Sequence, residues 1–276
     1  MDLVIQGQIL EHQDLLQIAE LAGATGISRL SARAGRLTGA QQRQGIAERC
    51  ARARLDFAFV PRDRKLADMG LLAIDMDSTL ITIECIDELA DMAGVKADVS
   101  AITAAAMAGE LDYAESLRRR VDLLRGLDQG ALVRVYDERL RLSPGAETML
   151  AAMQSSGVKT LLVSGGFSFF TERLKTRLHL DYSTSNQLEV EHGRRTGQVV
   201  GSIVDAEAKA AKLRSVRDEL GIAKAQIIAI GDGANDLAMM AEAGVSVAYR
   251  AKALVRGKTD YALDYAGLDG VLRLFA

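Results

Sequence analysis

Short apolar runs, separated by long stretches with helical spacing, dominate the C-terminal three quarters of the chain. The runs cover residues 71–74, 160–163, 226–230 and 245–248. Because their side chains are apolar on both faces of an extended chain, such runs are typical of parallel strands covered by helices on both sides. The pattern predicts an α/β domain over residues 67–276, built on a Rossmann-like parallel sheet.

The stretch from residue 84 to residue 142 interrupts this alternation, because it has helical spacing and no convincing strand. Ile86, Leu89 and Ala93, for example, share one helical face. An insertion after the first strand of an α/β domain lies over the carboxyl ends of the strands, where open sheets bind ligands. We therefore expect a helical cap at about residues 84–142.

Residues 1–66 follow a different order, which alternates as strand, helix, strand or hairpin, helix and strand. Helical spacing at residues 14–21 ends at Gly23, and a second helical pattern covers residues 41–54. This order is typical of a small ferredoxin-like α+β unit. The polar residues 61–65 that follow predict a linker, so we expect a separate N-terminal domain.

Composition and charge narrow the class of protein. The 276 residues include 34 Lys and Arg against 37 Asp and Glu, with no basic tail, which counts against nucleic-acid binding. No apolar run approaches the ~20 residues of a membrane span, and the acidic start does not resemble a signal peptide. Cys50 and Cys85 form no CxxC pair, so neither a disulfide framework nor a structural zinc site is expected. The sequence predicts a cytoplasmic protein that binds neither nucleic acid nor membranes, and it leaves open whether the chain forms a homodimer.

Dense polar clusters follow three of the apolar runs. The first contains Asp75 and Asp77, the second is the Ser-Gly-Gly segment at residues 164–166, and the third contains Asp232 and Asp236. Paired carboxylates directly after a buried strand are costly unless a cation or a reaction uses them. A single Asp-x-Asp sequence is also typical of a turn that ends a strand. A Ser-Gly-Gly sequence is likewise typical of an ordinary loop. The clusters are therefore informative only as a set.

The set of clusters favours phosphoryl transfer over other carboxylate chemistry. The third cluster lacks the spacing of an EF-hand calcium loop, and it lacks the third glycine of a Rossmann phosphate loop. Carboxylate oxygens suit Mg²⁺. A Mg²⁺ site with a spare carboxylate nucleophile is the equipment for transfer through an aspartyl-phosphate. Lys209 is the candidate cation that would stabilise charge on the transferred oxygens.

Several segments resemble a known family. DMDST at residues 75–79, SGG at 164–166, Lys209 and GDGANDL at 231–237 are similar to the motifs of the haloacid dehalogenase superfamily of phosphatases. Within that superfamily, four further segments resemble the phosphoserine phosphatases, namely residues 84–88, 109–113, 116–121 and 205–209. The likeness covers residues 70 to about 250. The element order of residues 1–66 is similar to the ACT-like modules that accompany some of these phosphatases.

The resemblance implies a role for each matching residue. Asp75 matches the nucleophile, which is also a Mg²⁺ ligand, and Asp77 matches the general acid/base, whose backbone carbonyl is a second ligand. Asp232 matches the remaining protein ligand, and Asp236 a residue that holds the metal-bound waters. The phosphate cradle is matched by Ser164, Gly165 and Lys209. The amide that contacts the substrate is matched by Asn235.

Recognition of an amino-acid substrate is implied for Glu84 and Arg120. A zwitterion needs one anion and one cation to recognise it, and arginine can meet a carboxylate with two hydrogen bonds. Glu84 could instead be a solvated residue at a helix start, and Arg118, Arg119 and Arg120 form a charge run of the kind that usually faces solvent. The register of the motif is the reason for choosing Arg120.

The function implied by the resemblance is Mg²⁺-dependent hydrolysis of O-phospho-L-serine to L-serine and phosphate, the last step of serine biosynthesis. One alternative keeps the same intermediate but transfers the phosphoryl group to another alcohol such as homoserine, or accepts another small phosphomonoester. A second alternative is a non-catalytic regulatory protein on the same scaffold. The intact set of Asp75, Asp77, Lys209 and Asp232 counts against this second alternative.

Overall fold

The computed structural model describes residues 1–275 and contains two β-sheets with helices packed on them. In chain order the strands are β1 (Asp2–Gly7), β2 (Gly26–Ser31), β3 (Ala34–Thr38), β4 (Leu55–Val60), β5 (Leu71–Ile74), β6 (Lys159–Phe167), β7 (Tyr182–Glu191), β8 (Arg194–Val200), β9 (Ile227–Gly231), β10 (Val245–Tyr249) and β11 (Tyr261–Leu263). The α-helices are α1 (His12–Leu21), α2 (Ile46–Ala53), α3 (Cys85–Ala93), α4 (Lys96–Met107), α5 (Tyr113–Asp122), α6 (Gln129–Arg134), α7 (Ala146–Ser155), α8 (Ser168–Leu178), α9 (Ala206–Leu220), α10 (Leu237–Ala241) and α11 (Ala253–Arg256). None of the helices within residues 1–275 combines the length and apolar character needed to cross a membrane.

The larger sheet has seven strands in the order β11-β10-β9-β5-β6-β7-β8. Neighbouring strands are parallel except at one edge, where β8 runs antiparallel to β7. Alternate residues of the central strand β5 point to opposite faces, so Leu72 and Ile74 belong to one buried cluster while Leu71 and Ala73 belong to another. Each cluster lies between the sheet and the helices on that side. The expected α/β fold with a parallel-dominated sheet is confirmed.

Helices α3 to α6 lie between β5 and β6 in the chain, where the cap was predicted. The chain enters and leaves this region at an antiparallel bridge between Ile81 and Leu142. On another side, the β7–β8 hairpin contacts the cap through backbone hydrogen bonds. The Gly126 amide donates to the Arg195 carbonyl at 2.8 Å, and the Arg195 amide donates to the Leu127 carbonyl at 3.0 Å. The cap is thus attached to the core at its hinge and at this hairpin.

The smaller sheet is antiparallel and has the strand order β2-β3-β1-β4. With α1 after β1 and α2 after β3, this is the order of a ferredoxin-like unit, as the sequence predicted. The two helices cover one face of the sheet, where Leu3, Ile5 and Ile18 are buried together. Helix α2 begins at Ile46 rather than near residue 41, because Gly45 before it adopts a left-handed conformation with φ of 76°.

The opposite face of the smaller sheet packs on the core. Val4, Ala58 and Val60 are buried in the same cluster as the core residues around β5. Arg62, in the segment expected to be a linker, donates a hydrogen bond from Nε to the Asp2 carboxylate at 2.9 Å. The start of this segment is therefore attached to the smaller sheet, while the domain division at residue 66 stays a prediction.

Asp56 on β4 makes a second connection to the core. Its carboxylate accepts hydrogen bonds from the backbone amides of Asp264 at 2.8 Å, Tyr265 at 3.0 Å and Ala266 at 2.8 Å. A buried carboxylate is tolerated when backbone donors surround it in this way. Asp56 thus ties the edge of the smaller sheet to the chain that follows β11.

Candidate active site

The predicted site residues meet at the carboxyl ends of the parallel strands, beneath the cap. A cavity of about 150 Å³ lies there. Seven predicted residues line it: Asp75, Asp77, Glu84, Arg120, Gly165, Asp232 and Asn235. The other three, Ser164, Lys209 and Asp236, are buried and are connected to the lining residues by the contacts described below. The structure thus brings all ten positions together, while their chemical roles stay predictions.

A tight turn after β5 orients the carboxylates of Asp75 and Asp77. The Leu80 amide donates back to the Asp75 carbonyl at 3.2 Å, which closes the chain on itself immediately after the strand. Within this turn Ser78 adopts a left-handed conformation with φ of 56°, unusual for a residue other than glycine. Such local strain is found at functional sites, where the surrounding structure holds it in place. The turn separates the side chains of Asp75 and Asp77, which have different partners.

Asp77 is held at both of its carboxylate oxygens. Oδ1 accepts a hydrogen bond from the Cys85 amide at the start of α3 at 2.8 Å, and Oδ2 accepts one from Ser164 Oγ at 3.3 Å. Burial raises the pKa of Asp77, although the Cys85 amide acts in the opposite direction. A raised pKa favours the protonated form, which is the form that a general acid needs.

Lys209 supplies the positive charge at the base of the site. It lies in the first turns of α9, whose N-cap Asp205 accepts a hydrogen bond from the Ala208 amide. Its ammonium contacts the Asp75 carboxylate and lies 2.7 Å from Asp236 Oδ1. Burial would lower the pKa of Lys209, but the two carboxylates outweigh it and hold this pKa above its ordinary value. Lys209 is therefore a permanent cation between two acidic groups.

The acidic groups outnumber this cation. Oxygen atoms of Asp75, Asp232 and Asp236 lie within 4.8 Å of one another. Burial, together with the charge of Asp236, raises the pKa of Asp232 to about 6, and the same two causes raise the pKa of Asp75 well above its ordinary value. Three clustered carboxylates beside one ammonium leave excess negative charge in a buried place, and the donor atoms are all oxygens. These residues fit a hard divalent cation.

One member of this cluster, Asp236, was predicted to hold the metal-bound waters rather than the metal itself. Its Oδ1 lies 2.7 Å from the Lys209 ammonium and its Oδ2 accepts a hydrogen bond from the Gly233 amide at 3.0 Å, so both oxygens have protein partners and its expected role stays a prediction. The Asp77 side chain lies outside the cluster, because both of its oxygens face Cys85 and Ser164. This leaves the backbone carbonyl of Asp77 as its predicted ligand atom. Thr79 supports the cluster by donating a hydrogen bond to Asp232 Oδ1 at 3.1 Å.

Glu84 and Arg120 line the same cavity without contacting each other. Glu84 Oε1 accepts a hydrogen bond from Ser78 Oγ at 2.6 Å, and burial together with the charge of Asp77 raises the pKa of Glu84 to about 7. Arg120 donates from Nε only to the Ser116 carbonyl of its own helix, at 3.3 Å, and it forms no ion pair with any residue in 1–275. An anion and a cation are thus left available for a ligand in the cavity.

The structure also distinguishes Arg120 from its two neighbours. Arg119 forms an exposed ion pair with Glu115, with 2.7 Å between Nε and Oε1. Arg118 lies in a separate surface groove beside Gly197 on the β7–β8 hairpin. Of the three arginines, Arg120 is the one that lines the acidic cavity. The choice made from the register of the motif agrees with this placement.

Sequence reasoning missed two residues that shape the site. Asn186 on β7 is buried and donates from Nδ2 to the Gly165 carbonyl at 2.7 Å, while its Oδ1 accepts from the Val204 amide at 2.8 Å. Tyr113 at the start of α5 donates from its hydroxyl to the same Gly165 carbonyl at 3.2 Å. An asparagine inside a strand was a signal that could have been used, because asparagine is uncommon there. Tyr113 lies in the segment 109–113 that resembles the phosphoserine phosphatases, but that resemblance assigned no role to its hydroxyl, whose acceptor is 52 residues away in the chain.

The fold and the site define a class of protein. An acidic cavity at the carboxyl ends of a parallel sheet, with a buried lysine below and a helical cap above, is the arrangement of a capped α/β enzyme that handles anionic groups through carboxylates and a cation. The cavity has room for a small molecule.

Comparisons with known proteins identify the family. A sequence model of the haloacid dehalogenase-like hydrolases matches residues 72–241, and one of a domain of unknown function (DUF4072) matches residues 3–46. A phosphoserine phosphatase from Polaromonas sp. is 54% identical over 217 residues, which are 77% of this chain and 92% of that protein. One from Haemophilus influenzae is 47% identical over 224 residues, 81% of this chain and 69% of that protein. The crystal structure of a probable phosphoserine phosphatase from Vibrio cholerae matches with a TM-score of 0.87 at 36% identity, covering 99% of this chain and 85% of that chain.

The chain belongs to the haloacid dehalogenase-like hydrolases, which confirms the resemblance found in its sequence. The likeness of residues 1–66 to ACT-like modules stays a prediction.

Proposed function

We propose that the protein hydrolyses O-phospho-L-serine to L-serine and phosphate, the last step of serine biosynthesis. The observation that carries this proposal is the cavity itself, in which Asp75, Glu84 and Arg120 all face one small space. Asp75 meets the phosphoryl group, and the other two residues meet the amino-acid end of the substrate. The high identity to phosphoserine phosphatases over most of the chain supports the same substrate.

The first half of the reaction transfers the phosphoryl group to the enzyme. An Asp75 oxygen attacks phosphorus, the bond between phosphorus and the serine oxygen breaks, and Asp77 donates its proton to that leaving oxygen. The raised pKa of Asp77 keeps this proton available. Lys209, the Ser164 hydroxyl and the Gly165 amide stabilise the charge on the phosphoryl oxygens. Serine and an aspartyl-phosphate at Asp75 are the products of this half-reaction.

The second half of the reaction restores the enzyme. Asp77, now a carboxylate, accepts a proton from a water molecule, whose oxygen attacks phosphorus and breaks the bond to Asp75. Phosphate leaves, and Asp75 is again a free carboxylate. The contacts of Asp77 with Cys85 and Ser164 keep it oriented through both proton transfers.

Magnesium is the proposed cofactor. The predicted ligands are Asp75, Asp232 and the Asp77 carbonyl, with Asp236 beside them. When bound, Mg²⁺ supplies positive charge that favours the ionised form of Asp75 and neutralises the oxygens of the phosphoryl group. The all-oxygen donor set suits a hard cation.

Recognition of the amino acid is assigned to Glu84 and Arg120, which both line the cavity. Glu84 accepts hydrogen bonds from the substrate ammonium, and Arg120 binds the substrate carboxylate with two parallel hydrogen bonds. Ser78 orients the Glu84 carboxylate through its hydrogen bond of 2.6 Å. A substrate that lacks either charged group leaves one of these two residues without a partner in the cavity, which is a basis for selectivity.

A cytoplasmic location belongs to this proposal. Cys50 and Cys85 are both buried and free, as expected in a reducing compartment. The proposed partner is a small phosphomonoester rather than a nucleic acid or a membrane.

A phosphate-release screen tests the proposed function. The substrates are phosphoserine, phosphothreonine, phosphotyrosine and sugar phosphates, each assayed with Mg²⁺ and with EDTA, and Asp75→Asn is the control for contaminating phosphatase. We expect a preference for phosphoserine of about tenfold or more in kcat/KM, which corresponds to 1.4 kcal/mol. A sugar phosphate hydrolysed equally well would contradict the proposal. Phosphohomoserine formed from phosphoserine and homoserine would favour the phosphotransferase alternative.

A further inference from the structure

The Tyr113 hydroxyl connects the cap to the core at the wall of the cavity. Tyr113 is the first residue of α5 in the cap, and Gly165 follows the buried part of β6 in the core. The hydroxyl donates to the Gly165 carbonyl at 3.2 Å, and both residues line the cavity. The bond therefore joins the cap and the core beside the space in which the substrate is expected to bind.

The acceptor of this bond is held in place by the core. Asn186 Nδ2 donates to the same Gly165 carbonyl at 2.7 Å, and Asn186 is itself fixed because its Oδ1 accepts from the Val204 amide. The carbonyl oxygen has two lone pairs, so it can accept both bonds. Tyr113 thus reaches a preoriented acceptor on a rigid part of the fold.

The fit between the tyrosine and the glycine is close. A Cβ atom at position 165 would lie 2.2 Å from the Tyr113 hydroxyl oxygen and 3.3 Å from Cζ of the same ring. The absence of a side chain at Gly165 is therefore what lets the ring approach the carbonyl. Close approach of this kind is a use for which glycine is suited.

We propose that Tyr113 is a positioning residue that latches the cap closed over the bound substrate, through the hydrogen bond from its hydroxyl to the Gly165 carbonyl. This proposal rests on the proposed function for its kinetic part only. Substrate must enter, and serine and phosphate must leave, when the latch is open. The latch then sets how long the substrate is retained, while Asp75 and Asp77 carry out the chemistry.

The strength of the latch suits repeated opening. One neutral hydrogen bond of ordinary strength changes the ratio of closed to open forms by roughly two- to tenfold. A bond of this size holds a cap during the chemical step and still allows it to open within each turnover. An ion pair buried at the same place would be much harder to break.

The kinetic test removes the hydroxyl and keeps the ring. In Tyr113→Phe, KM for phosphoserine should rise roughly two- to tenfold, while kcat falls by no more than about twofold or increases. The matched control is Tyr136→Phe, because Tyr136 is a half-buried tyrosine of the cap whose hydroxyl makes no hydrogen bond within residues 1–275. A smaller folded fraction of the variant would lower kcat and leave KM unchanged. That result would contradict the proposal that Tyr113 latches the cap.

Hydrogen–deuterium exchange tests the latch without any substrate. The amides at residues 164–170 belong to the segment that contains Gly165, so the looser cap of Tyr113→Phe should speed their exchange roughly two- to tenfold, whereas Tyr136→Phe should leave it unchanged. Unchanged exchange in Tyr113→Phe would overturn the latch whatever the kinetics show. If the wild-type protein does not hydrolyse phosphoserine, the proposed function is wrong. The exchange measurement alone then tests whether Tyr113 latches the cap.

A double-mutant cycle tests the contact itself. Gly165→Ala places a methyl group against the Tyr113 hydroxyl, so its effect on KM should be at least about twofold smaller in the Tyr113→Phe background, where that oxygen is gone. Equal effects in both backgrounds would show that the two residues do not act together, and would overturn the proposal.

Discussion

Lys209 contacts the Asp75 carboxylate in a place where both side chains are almost fully removed from solvent, exposed by 1% and 7%. Asp236, which is completely buried, contacts the same ammonium. A buried charge is stable only when partners compensate it. The predicted nucleophile therefore belongs to a buried network of charges, and its properties depend on that network as much as on its own position.

Replacement of the predicted nucleophile should abolish activity and leave the fold intact. In Asp75→Asn, Lys209 keeps its contact with Asp236, and one carboxylate leaves a crowded acidic cluster. We expect kcat to fall by on the order of 10³-fold or more, with no decrease in the melting temperature. Phosphate release and differential scanning calorimetry measure the two effects. A variant that retains about a tenth of the wild-type kcat would contradict the covalent mechanism.

Magnesium should stabilise the protein through the acidic cluster. Because a ligand that binds only the folded state stabilises it by mass action, Mg²⁺ at 100 times its Kd should add about 2.7 kcal/mol to the free energy of unfolding. In Asp232→Asn this stabilisation should be largely lost, and in the wild type EDTA should remove both the stabilisation and the activity. Calcium should restore activity poorly, since it accepts longer and less regular coordination. An equal rise in melting temperature in the wild type and in Asp232→Asn would place the ion elsewhere.

Glu84 should make the metal-free protein less stable as the pH rises. Burial and the charge of Asp77 raise the pKa of Glu84 to about 7 from its ordinary value of 4.5. The folded state then binds the proton more tightly than the unfolded state does, so the stability present at low pH is lost as the pH rises through 7. Glu84→Gln removes this loss, so its stability relative to the wild type should increase between pH 5 and pH 8, by less than about 1 kcal/mol because solvent reaches the Glu84 side chain and screens its charge.

Urea unfolding in EDTA at the two pH values measures the Glu84 effect. Glu147→Gln is the matched control, because the Glu147 side chain is 71% exposed on α7. A stability difference between Glu84→Gln and the wild type that stays the same at both pH values would show that Glu84 does not titrate in the folded protein.

The contact between the two sheets should depend on Asp56. In Asp56→Ala, three backbone amides lose their acceptor, which should cost about 1–3 kcal/mol in the free energy of unfolding. Because Asp56 lies outside the acidic cavity, kcat/KM should change little. Asp63→Ala, at an exposed position in the segment between the sheets, is the control for urea unfolding. A loss of stability no larger than that of Asp63→Ala would mean that this contact contributes little.

The sequence was sufficient to predict the parts of the site that lie next to their own strands. Asp75, Ser164 and Asp232 follow buried apolar runs, and parallel strands bring their carboxyl ends together, so proximity followed from topology. The register of one motif was enough to choose Arg120. These predictions depend on local pattern and on one general rule about parallel sheets.

Other features depend on contacts between distant parts of the chain, which no local pattern reveals. Asn186 reaches Gly165 from the neighbouring strand, and Tyr113 reaches it from the cap. Asp56 docks the smaller sheet through backbone amides more than 200 residues away. The polar segment at residues 61–65 was interpreted as a linker because its composition is that of a loop, and that composition did not reveal that Arg62 pairs with Asp2.

The central claim is that Arg120 recognises the carboxylate of the substrate and takes no part in the chemistry at phosphorus. The measurement that tests it most directly is kcat/KM of the wild type and of Arg120→Ala toward two substrates, phosphoserine and phosphoethanolamine, which has the ammonium but lacks the carboxylate. For phosphoserine the substitution should cost about 2–4 kcal/mol, roughly a 30- to 900-fold loss. For phosphoethanolamine the loss should stay below about threefold, since Arg120 has no partner there. Equal losses on both substrates would contradict the claim and assign Arg120 to the phosphate or to the structure of the cap.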